Sequence, residues 1–285
     1  MIDLLLEPLT YGFVQRGLAV TLVASIVCAL LSCWLVLVGW SLMGDAVSHA
    51  VLPGVVLAYA FALPFALGAL VFGLGAVALI GGVRDTTKLK EDTAIGVVFT
   101  SLFALGLVLV SVTPSQVDLT HILFGNVLGV SAQDVVLVSV SGALVAATLL
   151  FRRRDLTLYA FDPAHAHAVG ISPRRISALL LGLLAVTVVV ALQAVGVILV
   201  VAMLIIPGAT AYLLTTRMAR MLVIAPVMAS ACAVVGFVAS YALDASAAGC
   251  VVVAQGLVFT CAYVGVRLRG RLRTRRVGVV HARVS

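Results

Sequence analysis

The chain has 285 residues, 63% of them hydrophobic and only 10% charged, and a mean hydropathy of +1.25, far outside the composition of soluble domains. That composition excludes a soluble enzyme, a nucleic-acid binder and a disordered chain, and leaves an integral, multi-pass membrane protein in contact with lipid. The net charge of +7 therefore reports sidedness before it reports a partner.

The opening stretch MIDLLLEPLTYGFVQ carries Asp3 and Glu7 and no basic residue, so it is not expected to be a cleaved signal. Uncharged runs then occupy 17–44, 46–83, 93–117, 135–151, 176–216, 221–243 and 245–266, and a span needs about 20 apolar residues. Three helices are predicted upstream of Arg84, at 17–39, 43–62 and 64–83, the third begun by Pro64. Two more follow at 93–112 and 134–151. The run 176–216 is long enough to cross twice, turning near Gln193–Gly196, and the spans 222–243 and 248–266 follow with Asp244 at their turn. The predicted fold is all-α, a polytopic transmembrane bundle of nine spans, with eight and a re-entrant hairpin as the alternative. It forms one membrane domain over 1–266 with an arginine-rich tail over 267–285.

Seventeen of the eighteen basic residues fall into four clusters: Arg84/Lys88/Lys90, then Arg152–Arg154 with Arg174 and Arg175, then Arg217/Arg220, then the tail. Positive loops face the cytoplasm, and an even number of predicted spans separates each neighbouring pair of clusters. The N-terminus is accordingly expected outside and the C-terminus in the cytoplasm. The tail reads either as a solvated stop or as a segment that binds anionic lipid headgroups.

Within the apolar background, SLMGDAVSHAVLPGV at 41–55 places Asp45 and His49 one helical turn apart, on one face. An ionisable residue inside a span costs about 2.5–3.5 kcal/mol on insertion scales, so this pair asks for a partner. Carboxylate oxygen and imidazole nitrogen suit Mn²⁺, Fe²⁺ or Zn²⁺; the alternative is that Asp45 caps the helix and His49 bonds a neighbour. Pro53, lacking an N–H, leaves the His49 carbonyl without its helical donor. In the next outer connection Asp118 and His121 read as an entrance for a cation or as an ordinary cap and a solvated histidine, and Ser131 to Asp134 resembles a capping box. Glu91 and Asp92 suit the start of a helix.

FDPAHAHAVGISPRR at 161–175 has the parts of a short surface helix: Asp162 as N-cap, Pro163 at its first position and Gly170 as the C-terminal stop. Its small residues Ala164, Ala168 and Val169 form a knob, while His165 and His167 point to different faces. Cys28, Cys33, Cys232, Cys250 and Cys261 lie in apolar runs and read as packing residues. No nucleotide-binding GxxxxGK[ST] motif or hydrolytic constellation occurs, so the chain is not expected to be an enzyme.

Together SLMGDAVSHAVLPGV, KEDTAIGVVFTSLFALGLVLVS, DLTHILFGNVLGVS, FDPAHAHAVGI and LQAVGVILVVAMLIIPGATAYLLTTR resemble the permeases of bacterial ATP-binding-cassette importers for manganese, iron and zinc. MGDAVSHAVLPG and KEDTAIG are closer to the manganese/iron branch. The resemblance implies a permease that pairs with a second, identical or paralogous copy, binds two cytoplasmic ATPase subunits and receives metal from an extracytoplasmic metal-binding protein. It implies metal coordination by Asp45 and His49 and an ATPase-coupling helix at Asp162, Pro163, Ala164, His165, Ala168 and Gly170. No cofactor is held permanently: the divalent ion is cargo and ATP sits on the partner. One departure is that Gly39, Trp40 and Ser41 stand where relatives commonly carry arginines before the MGD motif. The alternatives are a zinc permease of the same family, an ion- or proton-coupled carrier working without ATP, and a membrane scaffold without transport.

Overall fold

A computed structural model describes residues 11–113 and 129–281. These residues form twelve helices: α1 Gly12–Val38, α2 Met43–Ala50, α3 Leu52–Ala60, α4 Phe65–Thr86, α5 Glu91–Val112, α6 Ala132–Phe151, α7 Arg153–Phe161, α8 Pro163–Ala168, α9 Pro173–Val195, α10 Val197–Leu214, α11 Met218–Leu243 and α12 Ala247–His281. Among the described residues nine segments are long and apolar enough to cross a membrane, with α2 and α3 together making the second. The all-α bundle of nine spans expected from the sequence is therefore the one observed.

The turns follow from local chemistry. Gly39, at φ +89, ends α1; its N–H donates to the Val36 carbonyl at 3.3 Å and that of Trp40 to the Leu35 carbonyl at 2.7 Å, a Schellman closure. At the start of α6, Ser131 Oγ accepts from the Asp134 N–H at 3.2 Å and Asp134 Oδ2 accepts from the Ser131 N–H at 3.0 Å, which is the capping box read from the sequence. Gly196 at φ +82 separates α9 from α10, within the expected turn.

Three expected boundaries shift. The second span is divided at Val51 into α2 and α3, because Pro53 has no N–H to donate and its ring crowds the turn before it. The first helix begins at Gly12 and takes in Arg16, whose Nε donates to the Gly12 carbonyl at 3.3 Å. At the other end, α12 does not stop where its arginines begin: its 35 residues extend about 52 Å against about 30 Å of hydrocarbon. Arginine is a good helix former, so charge ends the membrane-compatible segment without ending the helix.

Helices α1, α2, α3, α9 and α10 form the buried interior, with α1 packed against α6, α7, α9, α10 and α11. Helices α4, α5, α6 and α12 turn most of their apolar surface outward, as expected where the surrounding solvent is lipid. Close approach depends on small residues. A Cβ on Gly54 of α3 would fall onto the Gly68 carbonyl of α4, and the reverse holds for Gly68. In α10, beside Pro207, the Gly208 N–H donates to Ser32 Oγ of α1 at 3.0 Å and that hydroxyl donates to the Ile205 carbonyl at 3.3 Å, so one serine ties α1 to the proline turn of α10.

Candidate metal-binding site

Asp45 lies in the first turn of α2, after the non-capping residue Leu42, where the helix dipole favours a carboxylate. It makes no cap hydrogen bond to that helix end. Instead its Oδ1 meets Nε2 of His49, one turn on, at 3.4 Å. Ser48, between them, is turned away and donates to the Gly44 carbonyl at 2.7 Å.

The imidazole is held by α5. Phe103 meets it edge-on, with ring centroids 5.2 Å apart at 75°, and Phe99 lies 5.5 Å away. His49 Nδ1 is buried without a hydrogen-bond partner. The ring is thus fixed by aromatic packing, with one nitrogen toward Asp45.

Both side chains open into a cavity of about 460 Å³ lined otherwise by Phe103 and by Val197, Ile198, Val201, Ala202, Ile205 and Ile206 of α10. The α10 residues recur at one-turn spacing and present a single apolar face. Asp45 and His49 are the polar groups of that lining, and among the described residues no cluster of three or more His, Cys, Asp or Glu could hold a metal. One oxygen and one nitrogen are half of the four donors a tetrahedral ion takes. The α5 aromatics and the α10 face were not found from the sequence. The spacing of Phe99 and Phe103 was visible there, but their contact with His49 depends on how α5 packs on α2.

The other predicted residues fall elsewhere. Asp118 and His121 lie outside the described residues. Asp162 caps α8, accepting from the His165 N–H at 2.9 Å, with Pro163 in the first turn. Gly170 has φ +87, and the Gly170 and Ile171 N–H groups close the helix onto the His167 and Ala166 carbonyls at 3.1 and 2.9 Å. Ala166 faces inward, while Ala164, His165, His167, Ala168 and Val169 are exposed. Glu91 pairs with Arg84 at 3.2 Å.

This arrangement defines a polytopic helical membrane protein in which a carboxylate and an imidazole, one turn apart, open into an otherwise apolar cavity. The chain belongs to the ABC 3 transport family, matched over residues 10–265. It is similar to the manganese transport system membrane protein MntB of Synechocystis sp., with 55% identity over 218 residues covering 76% of this chain and 71% of the relative. It is also similar to the chelated iron transport system membrane protein YfeD of Yersinia pestis, with 45% identity covering 80% of this chain and 77% of the relative. Among solved structures, PsaBC from Streptococcus pneumoniae in complex with Fab superposes with a TM-score of 0.83 at 37% identity, over 92% of this chain and 95% of that one.

Proposed function

We propose that the chain is the permease subunit of an ATP-driven importer of divalent metal ions, manganese and/or iron. The observation that carries this reading is the Asp45–His49 pair opening into a cavity, in a member of the ABC 3 transport family whose relatives are named for manganese and iron transport. Oxygen and nitrogen donors suit Mn²⁺, Fe²⁺ and Zn²⁺ alike, so the preference for manganese and iron rests on the relatives.

A second permease copy, identical or paralogous, meets the first across the apolar α10 face and adds a second Asp and His. Four donors then surround the ion, and the apolar walls give it no other anchor, so separating the two copies lowers its affinity and releases it. The ion arrives from an extracytoplasmic metal-binding protein at the outer end, near the 113–133 connection and the Gln193–Gly196 turn. Two cytoplasmic ATPase subunits bind and hydrolyse ATP and seat the exposed face of α8. The four basic clusters put the loops after the third, fifth, seventh and ninth spans in the cytoplasm and the N-terminus outside.

The test is uptake of radiolabelled Mn²⁺ by the complex reconstituted in vesicles with ATPase and binding protein. Asp45→Ala and His49→Ala are each expected to abolish uptake and metal-stimulated hydrolysis; unchanged uptake by an assembled variant complex would overturn the reading. Gradient-driven uptake by the chain alone would favour the ion-coupled carrier. Competition with Fe²⁺ and Zn²⁺ ranks the cargo.

A further inference from the structure

We infer that Trp40 is a positioning residue, whose buried indole links α7 and α8 to the helices that hold Asp45 and His49. This rests on the reading of the chain as an ATP-driven permease and assigns a role that reading does not contain.

The backbone of Trp40 is fixed on both sides. Its N–H donates to the Leu35 carbonyl at 2.7 Å, and its carbonyl accepts from the N–H of Met43, the first residue of α2, at 3.0 Å. The ring is 1% exposed, so it cannot tilt without moving its surroundings, because close-packed interiors transmit displacement. Asp45 follows within the first turn of α2.

Two elements meet on this ring, and a third is reached through one of them. Tyr159 of α7 lies with its ring centroid 6.4 Å away, tilted by 58°. The Arg84 guanidinium, from the end of α4, stands 5.5 Å from the indole centroid, within cation–π range. Arg84 also pairs with Glu91 at 3.2 Å, the first residue of α5, and α5 carries the Phe99 and Phe103 rings that hold His49. The indole therefore adjoins the start of α2 directly and the start of α5 through one ion pair. On the α7 side, Trp34 Nε1 donates to Thr157 Oγ1 at 3.3 Å, so two tryptophans seat one helix, and Tyr159 precedes Asp162, the cap of α8, by less than one turn.

The indole Nε1 of Trp40 is buried without a hydrogen-bond partner. A buried unpaired donor is unfavourable, so the part of the side chain in use is its ring face. Phenylalanine keeps a ring face and removes the unpaired donor, which makes Trp40→Phe a rescue variant and Trp40→Ala a deletion. Contiguity alone is not coupling; the measurable quantity is Mn²⁺ carried per ATP hydrolysed.

The experiment uses the full complex in vesicles, with binding protein, Mn²⁺ and ATP, and reads uptake, hydrolysis and assembly. Trp40→Ala is expected to assemble and hydrolyse ATP but to lower Mn²⁺ carried per ATP about tenfold, while Tyr159→Leu lowers it about fivefold. Trp40→Phe is expected to keep most of the wild-type ratio. If Trp40→Ala and Tyr159→Leu reduce uptake and hydrolysis in parallel, leaving the ratio unchanged, Trp40 only packs and the inference is wrong. Should Trp40→Ala fail to assemble, a wild-type ratio in Tyr159→Leu is enough to overturn it. A wild-type complex that hydrolyses ATP without carrying Mn²⁺ would instead remove the permease reading, whatever Trp40 does.

Discussion

His49 is held chiefly by contacts with Phe99 and Phe103, since its Nδ1 has no hydrogen-bond partner. A histidine that binds metal is usually oriented by a hydrogen bond from its other ring nitrogen; His49 has aromatic packing in that place. Phe103→Leu should therefore leave the donors in place but loosen the imidazole, raising the Mn²⁺ concentration for half-maximal uptake by about tenfold, the lower end of losses from disturbed ligand orientation. A Mn²⁺ titration of uptake by the assembled complex checks this, and an unchanged midpoint would show that the ring is fixed by other contacts. The Asp45–His49 pair was legible because two polar residues one turn apart stand out in an otherwise apolar stretch. The clamp was not, because phenylalanines in a membrane helix look the same whether they face lipid or a histidine.

At the scale of elements, glycines and caps decide where helices meet and stop. Gly54→Ala would force α3 and α4 apart at backbone contact, and overpacking costs about 1–3 kcal/mol. Its thermal midpoint in detergent should fall, whereas Gly75→Ala, whose Cβ meets nothing within 4 Å, should hold or raise it; equal behaviour of the two would refute the close contact. For α8, Asp162→Ala removes the N-cap bond to His165, worth about 1 kcal/mol, and should weaken co-purification of the ATPase subunit. Asp162→Asn keeps a capping oxygen and should restore it, so loss in both variants would point to the charge rather than the cap. The caps at Ser131, Asp162 and Gly170 were readable in advance because they join residues near in sequence. The division of the second span was only half readable: Pro53 announced a missing donor, but whether the chain bends there depends on its neighbours.

For the whole molecule, alternation of nine spans puts the four basic clusters at one end, which we assign to the cytoplasm. With the five native cysteines replaced, Thr87→Cys and Thr215→Cys should react with a membrane-impermeant thiol reagent only in inside-out vesicles, and Asp244→Cys only in right-side-out ones. Labelling of Thr87→Cys and Asp244→Cys from the same side would break the nine-span parity. The interior helices α1, α9 and α10 and the lipid-facing ones α4, α5 and α6 have similar hydropathy but differ widely in burial. Hydropathy therefore predicts that a segment crosses and not which neighbours it meets.

What the sequence by itself determined was what local or one-dimensional physics governs: which stretches can cross a membrane, most of their turns, the helix caps, the even spacing of basic loops and the shared face of Asp45 and His49. The tertiary structure decided what depends on distant segments meeting. It set the α5 rings against His49, made the α10 face the wall of the cavity, and gathered Trp40, the Arg84–Glu91 pair and Tyr159 from three separate stretches of chain. In lipid, apolar side chains gain little by leaving their solvent, so these meetings are selected by small residues, shape and a few polar contacts, which a hydropathy pattern does not record.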